Sequence, residues 1–343
     1  MTSYRMPAEW EPHAATWLAW PSNRDDWPGR WEPVPWIYLE MIRALREPVR
    51  VFVREPTVAA QASEVLARAG VSASKVEFVL IPTDRSWTRD YGPCFTLRGG
   101  VPTILDWRFN AWAKYDDWRY DDAAAGAVAR ARGLPIERPL HRDTPVVLEG
   151  GAIDTNGAGT MLTTEECLLS GEQERNPGFT ARDYEAVFAR WYGVRKVLWL
   201  PAGIAGDDTH GHVDDCARFV GPRTVVAAVE PNRDDANHAP LARNLERLRA
   251  TTDADGRPLE ILELPMPAPV VFEGERLPAS YANFYIANGV VLAPVFGDPM
   301  DREALNVLAR AFPDRAVVPI YARDLVLGLG TVHCLSQQEP AGA

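Results

Sequence analysis

Cys334 is the residue of this chain whose setting points most clearly to chemistry. It follows a short apolar run, Leu325–Leu327, and two glycines in the segment GLGTVHCLSQQ, residues 328–338. Glycines allow the backbone to approach a ligand closely. A thiolate is a strong nucleophile, but it needs a base and a polar setting to form at neutral pH. The position therefore predicts a catalytic thiol, for which the rest of the sequence has to supply partners.

Three other segments carry the side chains that such a thiol needs. They are WTRDYGP (87–93), EGG (149–151) and DDTHGHVDD (207–215). A guanidinium group presents N–H donors in a planar fork, which two carboxylates can hold from two sides. Asp90 together with either Asp214 or Glu149 would provide this grip. The residue types therefore predict a small cationic guanidino compound as the substrate.

Attack on a guanidinium carbon needs a thiolate, neutralising carboxylates and a proton donor, because the carbon is a poor electrophile. His212 could protonate the departing ammonia, while Asp214 or another carboxylate holds its imidazole. A covalent S-alkylthiouronium would then remain on Cys334, and the neutral histidine would activate water to release a urea product. This route requires neither a metal nor an organic cofactor.

Helical segments with apolar residues spaced near 3.6 recur along the chain and have to position these side chains. The predicted helices are 57–69, 123–132, 181–192, 239–250 and 302–312. Each helix leads to a short predicted strand that closes on a proline. These strands are 76–82, 134–139, 196–201, 259–265 and 315–319. The second strand fits its pattern least well. A repeat of about 60 residues suits a repeated β/α unit.

A polar segment follows each predicted strand. In chain order these segments contribute Asp90, Glu149, His212, the stretch Ser280–Asn283, and Cys334. If the units surround an axis with equivalent loops turned inward, all of them converge on one central pocket. We therefore predict an α/β fold of five units that form a single catalytic domain, residues 1–343. A doubly wound parallel sheet is the structural alternative.

Composition limits the possible partners. The 343 residues are 46% hydrophobic, and the net charge of −11 argues against nucleic-acid or anionic-membrane partners. The N-terminus has no apolar leader, and no run approaches the roughly 20 residues that span a bilayer. The four cysteines are too widely spaced for a disulfide framework. We expect a cytoplasmic protein, with homo-oligomers left open.

These motifs, in this order, resemble those of the agmatine deiminase family and its bacterial-type peptidylarginine deiminase relatives. Further similar stretches are RMPAEWEPH (5–13), FNAW (109–112), LTTEECLL (162–169) and RNP (175–177). The resemblance implies a five-bladed pseudo-fivefold α/β propeller, the pentein fold, with a central active site.

The same resemblance implies functional roles for individual residues. It makes Cys334 the nucleophile and His212 the general acid/base, and it places Asp90, Glu149 and Asp214 around the guanidinium. Trp87 is expected to pack near the substrate. Two further residues are predicted to bind substrate, Trp112 in the FNAW stretch and Asn283 from the repeat argument. Asp215 departs from the family pattern, in which an asparagine is frequent at this place.

Other functions stay open from the sequence alone. The run 209–214 resembles a metal-binding turn in which His210, His212 and Asp214 would coordinate zinc. A non-catalytic guanidinium or polyamine binder would keep the carboxylates, and an amidinotransferase would share the thiouronium intermediate. Among hydrolases, the acidic segments favour agmatine, a dication, over free arginine. A peptidylarginine deiminase or an enzyme for another alkylguanidine is the alternative.

Overall fold

A computed structural model describes residues 3–342 of the chain and has a mixed α/β fold. Its helices are α1 (Val34–Ala44), α2 (Pro56–Arg68), α3 (Thr88–Tyr91), α4 (Arg119–Arg132), α5 (Glu165–Leu169), α6 (Ala181–Tyr192), α7 (His238–Arg249) and α8 (Asp301–Ala311). The five predicted helices are confirmed as α2, α4, α6, α7 and α8. No helix in residues 3–342 has both the length and the apolar content to cross a membrane.

Helix α6 illustrates why these segments fold as helices. Thr180 and Asp183 form a capping box at its start, in which each side chain accepts a hydrogen bond from the other residue's backbone N–H. The helix ends at Gly193, whose φ of 69° is left-handed and therefore favours glycine. Between these ends Tyr184 and Phe188, one turn apart, are both buried. One apolar face and two end signals thus define the helix.

Helix α1 has no counterpart among the predicted helices. Seven of its eleven residues are buried. The exposed residues Trp36, Glu40 and Arg43 are three or four positions apart and lie on one stripe, so the helix is amphipathic. One residue of that stripe is a tryptophan, which weakens the contrast between the polar and the apolar face. The helix also begins within a proline-containing segment, with Pro35 in its first turn, and these two features explain why the sequence pattern did not indicate it.

The strands of the described chain form five sheets of three or four strands and two small ribbons. The sheets are Tyr4–Arg5, Cys94–Arg98, Val101–Leu105 and Ile136–Glu137; Asp154–Thr155, Thr160–Thr164 and Lys196–Leu200; Ala217–Phe219, Thr224–Val229 and Glu260–Pro265; Tyr285–Ala287, Val290–Val295 and Ala316–Tyr321; and Gln337–Pro340, His13–Ala19, Val49–Val53 and Val76–Leu80. The ribbons are Leu140–His141 with Thr144–Pro145, and Val271–Phe272 with Glu275–Arg276. The alternative prediction of one doubly wound parallel sheet is therefore wrong.

Each sheet repeats one connection. A central strand and an outer strand pair in parallel, and a long helix connects them; for example, α7 connects Thr224–Val229 to Glu260–Pro265. In four sheets the strand on the other side of the central strand runs antiparallel to it. In the fifth, His13–Ala19 runs parallel to Val49–Val53, and the antiparallel strand, Gln337–Pro340, lies beyond it. The predicted strands are the outer ones, and the weakly matching 134–139 is only the two-residue strand Ile136–Glu137. The repeated β/α unit is thus confirmed at the level of these connections.

The two ends of the described chain meet in one sheet. Strand Gln337–Pro340, close to the C-terminus, pairs antiparallel with His13–Ala19, so that Trp17 lies opposite Gln337. Trp17 also donates a hydrogen bond from its indole Nε1 to Glu339 Oε2 at 2.9 Å. The segment that carries Cys334 is therefore held against the N-terminal part of the chain.

A fully buried arginine links three of these segments. Arg218, with none of its surface exposed, binds the carboxylate of Asp154 and donates to Glu9 Oε2 at 2.9 Å. It also donates to the carbonyl oxygen of Phe284 at 2.8 Å. A buried charge costs free energy unless it is paired and hydrogen-bonded, as this one is. Arg218 therefore couples three sheets and the N-terminal segment.

Replacing Arg218 with methionine should lower the free energy of unfolding by about 3–5 kcal/mol, because Glu9 and Asp154 would lose their buried partner. Urea denaturation followed by circular dichroism measures this change. The matched control is Arg195→Met, because Arg195 pairs with Asp255 at 2.6 Å on the surface, where both side chains are about half exposed. That change should stay below about 1 kcal/mol. Equal losses in the two variants would contradict the role of Arg218.

Candidate active site

Cys334 follows a loop whose glycines allow close contact with two tryptophans. A Cβ atom at Gly328 would lie 2.6 Å from the Trp27 indole nitrogen and 2.8 Å from the Trp87 ring. A Cβ at Gly330 would lie 2.8 Å from the Trp87 ring and 3.0 Å from the Cys334 Cβ. Any larger residue at either place would displace the loop. Trp87 thus packs against the glycines that precede the thiol and lines the same cavity as Cys334.

The Cys334 thiol has one amide and one carboxylate as its nearest polar partners. Asn283 Nδ2 donates to Cys334 Sγ at 3.1 Å, and Sγ lies 3.8 Å from Asp214 Oδ2. Burial raises the pKa of Cys334 well above its usual value, and the charge of Asp214 raises it further. The thiol is therefore protonated when the site holds no cation.

His212 lies between two carboxylates. Its Nδ1 is 3.8 Å from Asp90 Oδ1, and its Nε2 is 3.7 Å from Glu149 Oε2. Its backbone N–H donates to Asp207 Oδ2 at 2.9 Å, which fixes the loop that carries the ring. Burial alone would lower the pKa of His212, but Asp90 and Glu149 raise it well above its usual value. The imidazole is therefore charged and can donate a proton.

Gly151 marks the place where the three polar segments meet. A Cβ atom there would lie 2.5 Å from His212 Nδ1, 2.9 Å from Asp90 Oδ1 and 3.1 Å from Asp214 Oδ2. The absence of a side chain in the EGG motif therefore makes room for one histidine and two aspartates. The structure brings Asp90, His212 and Asp214 together around this point.

Asp90 is held by neutral donors. Its Oδ1 accepts the backbone N–H of Gly151 at 3.0 Å, and its Oδ2 accepts the indole Nε1 of Trp112 at 3.0 Å. Burial, together with the charges of Asp214 and Glu149, raises the pKa of Asp90 to about 6, although His212 opposes this shift. Asp90 lines the cavity that Cys334 also lines. A cation that enters this cavity would meet a carboxylate whose hydrogen bonds come from neutral groups and which has the imidazolium of His212 3.8 Å away.

Trp112 is presented by an unusual turn. Ala111, Trp112 and Ala113 have φ values of 49°, 59° and 54°, all in the left-handed region. Residues other than glycine adopt this region at a cost of about 1–2 kcal/mol each. Such strain is often found at functional sites. The turn places the Trp112 indole on the cavity wall and against Asp90, which is where the sequence predicts a substrate contact.

Glu149 lies behind His212 and not on the cavity wall. It is fully buried, and its Oε1 accepts a hydrogen bond from Arg175 Nε at 3.1 Å. Burial alone would raise the pKa of Glu149, but Arg175 and His212 lower it to about 2. Glu149 is thus a charged neighbour of the imidazole. The sequence left open whether it would grip the substrate, and the structure turns it toward His212.

Asp214 is connected to Glu9 through a histidine. His333 Nδ1 lies 2.7 Å from Asp214 Oδ2, and His333 Nε2 lies 2.8 Å from Glu9 Oε2. Burial would raise the pKa of Asp214, but His333 and His212 lower it. The neighbouring Asp215 has a pKa raised well above its usual value by burial and by the charge of Asp214. One of the two aspartates is therefore charged and the other neutral.

Asn283 is placed differently from the prediction of a substrate contact. It is fully buried and lies beside the thiol, outside the residues that line the cavity. Its Nδ2 donates to Asp215 Oδ1 at 2.9 Å as well as to Cys334, and its Oδ1 accepts from the Thr331 hydroxyl at 2.7 Å and from the His333 N–H at 3.0 Å. The residue thus fixes the loop of the nucleophile. Its polar atoms are occupied by protein groups, which explains the difference.

A cavity of about 310 Å³ connects the thiol to the surface. The charged side chains on its wall are Asp25, Asp26, Asp90, Asp117, Asp208 and Arg85. Arg85 Nη2 pairs with Asp117 at 2.7 Å, and its Nη1 lies 3.4 Å from Asp26. The wall therefore carries more carboxylates than guanidinium groups, and its one guanidinium, that of Arg85, is already paired with two of those carboxylates. Such a cavity suits a positively charged ligand.

Four residues that sequence reasoning left without a role contact the site. Glu9 and Arg175 lie within the motifs RMPAEWEPH and RNP, so the motifs were a signal, but their side-chain partners are remote in sequence. His333, in the segment that carries the nucleophile, joins Asp214 to Glu9. Cys167, in LTTEECLL, has a thiol close to His212 and Glu149.

The predicted zinc alternative is not the arrangement found in the described chain. His210 Nε2 lies 3.0 Å from the Ser170 hydroxyl, whereas the potential ligand atoms that cluster belong to Glu149, Cys167 and His212. The observed site combines a thiol, an imidazolium, and carboxylates at an acidic cavity. These groups can bind a cation, attack an electrophilic carbon and protonate a leaving group.

Several known proteins are similar to this chain in sequence and in fold. The chain is 38% identical to the agmatine deiminase of Stutzerimonas stutzeri (strain A1501) and 37% identical to that of Pseudomonas aeruginosa (strain LESB58), with 98% of this chain and 96% of each relative aligned. The solved agmatine deiminase of Enterococcus faecalis superposes with a TM-score of 0.90 at 31% identity, over 98% of this chain and 96% of that one.

The fold of the chain is accordingly a mixed α/β fold of the pentein type, as in that structure. Residues 5–340, nearly the whole length, match the sequence model of one family. The chain therefore belongs to the Porphyromonas-type peptidyl-arginine deiminase family.

Proposed function

We propose that this protein is an agmatine deiminase, which hydrolyses agmatine to N-carbamoylputrescine and ammonia. The observation that carries the proposal is the charge of the cavity that Cys334 lines. Five aspartates and one arginine lie on its wall, and the arginine is paired with two of those aspartates. A second positive charge at the far end of the substrate is favoured in such a cavity, whereas a carboxylate is not. The relatives named agmatine deiminases support the same substrate.

The first half of the reaction would use Cys334, His212 and Asp90. Substrate binding brings a guanidinium next to Asp90 and Asp214, and its positive charge favours loss of the thiol proton. The thiolate forms a bond to the guanidinium carbon, and the charged His212 transfers its proton to the departing amino group. Ammonia leaves, and an S-alkylthiouronium remains on Cys334.

The second half would reverse the role of His212. The ring is now neutral and can take a proton from water, while the hydroxide adds to the thiouronium carbon. The proton of the added hydroxyl group passes to the departing sulfur and replaces the thiol proton that was released to solvent in the first half. The carbon–sulfur bond breaks, and N-carbamoylputrescine leaves as the product. Glu149 stabilises the imidazolium at both stages because it stays charged beside the ring. No metal or organic cofactor takes part in these steps.

We also propose that the five sheets are arranged as a five-bladed α/β propeller with the site at its centre. The repeated strand and helix connection supports it, because the polar segments that follow successive units meet around Gly151 and Cys334. The pairing of Gln337–Pro340 with His13–Ala19 would close the ring. A single domain and a cytoplasmic location stay predictions. The four free cysteines support a reducing compartment.

Ammonia release should be fastest with agmatine in a panel of guanidines. Free arginine should have a kcat/KM at least about 100-fold lower, because its carboxylate would enter an acidic cavity. A blocked arginine amide and simple alkylguanidines complete the panel, and Cys334→Ala, which should be inactive but folded, is the control. Faster turnover of the blocked amide would replace agmatine with a peptidylarginine substrate.

Cys334 should react with a cationic haloacetamidine faster than with the neutral haloacetamide of the same size. After correction for reaction with a free thiol, the cationic reagent should be at least ~10-fold faster at pH 7, since one unit of thiol pKa changes the thiolate population tenfold. With the neutral reagent the rate should keep rising above pH 9, because the pKa of the thiol in the empty site is raised. Equal corrected rates would contradict charge-assisted activation.

Asp215→Asn should keep turnover within about tenfold, because the side chain of Asp215 is already neutral and asparagine has nearly the same shape. Asp214→Asn should reduce kcat by at least about 100-fold, because it removes a charge that faces the thiol and the substrate. Steady-state kinetics with agmatine measure both. A larger loss in the Asp215 variant than in the Asp214 variant would reverse the assignment of charge.

A further inference from the structure

We propose that Glu149, Cys167 and His212 form an inhibitory zinc site behind the substrate cavity. A carboxylate oxygen, a thiol sulfur and an imidazole nitrogen of these residues lie within 4.8 Å of one another. All three residues are at most 1% exposed. One ligand each from oxygen, sulfur and nitrogen, with a fourth position left for water, is a set that zinc accepts.

Two of the three ligand atoms lack a hydrogen-bond partner. Within residues 3–342, neither Glu149 Oε2 nor His212 Nε2 has a hydrogen-bond partner, although both are buried. Burying a polar atom without a partner costs free energy, so each such pair calls for an explanation. The two atoms lie 3.7 Å apart. Two ligands on a tetrahedral zinc ion, with bonds of about 2.0–2.1 Å, would be separated by about 3.4 Å.

The ligands are fixed in place before any ion arrives. Arg175 holds Oε1 of Glu149, which leaves Oε2 free to face the imidazole. The backbone N–H of Cys167 donates to the Thr164 hydroxyl at 3.0 Å, and that hydroxyl donates to the carbonyl oxygen of Gly211. The helix of Cys167 is therefore tied to the loop of His212. Little rearrangement is needed to bring the three atoms onto one ion.

The electrostatic surroundings are favourable overall. Arg175 opposes a cation, but its charge is already paired with Glu149. Asp90 Oδ1, on the other side of the ring, is 3.8 Å from His212 Nδ1, and Asp214 adds a further carboxylate near the same point. Carboxylates that contact the second nitrogen of a metal-binding histidine orient its ring.

Zinc binding would prevent His212 from transferring protons. The imidazolium of His212 and the thiol of Cys167 each release a proton to solvent when the ion binds, and the ion takes the lone pair of the imidazole nitrogen. A metal-bound ring can neither protonate ammonia nor accept a proton from water. Inhibition in this form rests on the proposed function, whereas the binding itself does not.

Cobalt(II) is the probe for binding, because a cobalt–thiolate bond gives a charge-transfer band in the near ultraviolet. Wild-type protein should show this band with one equivalent of cobalt, and zinc should abolish it. Cys334→Ala should keep the band, and Cys167→Ala should lose it. Cys216→Ala, which removes another buried thiol, is the matched control and should keep it. Loss in the Cys334 variant with retention in the Cys167 variant, or no band at all, would overturn the proposal.

A second measurement does not depend on the folding of a variant. X-ray absorption at the zinc edge of the wild-type protein with one equivalent of zinc should show one sulfur ligand among nitrogen and oxygen ligands. A shell of nitrogen and oxygen alone, or of two sulfur atoms, would refute the site.

Activity completes the test. Zinc should inhibit agmatine turnover, and the inhibition constant should be more than about 100-fold weaker in Cys167→Ala, each variant being compared with its own uninhibited rate. Equal inhibition would refute the site. Absence of turnover in the metal-free wild type, with the cobalt band present, would refute the proposed function alone. Turnover without the band would refute the zinc site alone.

Discussion

The buried carboxylate of Glu9 is the interaction on which the site depends. Its Oε2 lies 2.9 Å from Arg218 Nη2, 2.8 Å from His333 Nε2 and 3.5 Å from Arg89 Nη2. Arg89 precedes the aspartate of the cavity and His333 precedes the nucleophile, so one carboxylate fixes the segments that carry both. Burial alone would raise the pKa of Glu9, but its contacts with Arg218, His333 and Arg89 lower it well below its usual range. The charge is therefore kept, and the segments stay together.

An excess of negative charge around the thiol follows from this arrangement. Arg218 and Arg175 are paired with Glu9 and Glu149, behind the site. In the described part of the chain, no lysine or arginine contacts the Cys334 thiol. The thiol therefore stays protonated until a cation arrives. A guanidinium supplies the missing charge and the electrophilic carbon at once. Binding and activation of the nucleophile are in this way one event, which protects the thiol from neutral electrophiles.

Features that depend on neighbouring residues, such as helices and strands, could be predicted from local sequence patterns. The five predicted helices could be placed because their apolar residues recur on one face, whereas helix Val34–Ala44 begins among prolines and has a tryptophan on its exposed face, which concealed its pattern. Cys334, His212 and Asp90 could be named because nucleophile, acid and carboxylate types are rare in this spacing. The roles of Arg175 and His333 could not, because their partners Glu149 and Glu9 are remote in sequence and no residue type specifies which distant carboxylate it will meet.

Two similar carboxylates, Asp90 and Glu149, differ in role because of what holds them. Asp90 accepts hydrogen bonds from the neutral N–H groups of Trp112 and Gly151, which fix its direction without cancelling its charge. Its pKa is therefore raised to about 6, mainly by burial. Glu149 is held by the guanidinium of Arg175, and its pKa falls to about 2 despite its burial. Asp90, with the His212 imidazolium 3.8 Å away, is less fully neutralised than Glu149, which also binds a guanidinium, so Asp90 gains more from a cationic ligand. The choice between neutral and charged partners thus separates the group that meets the ligand from the group that holds the imidazole.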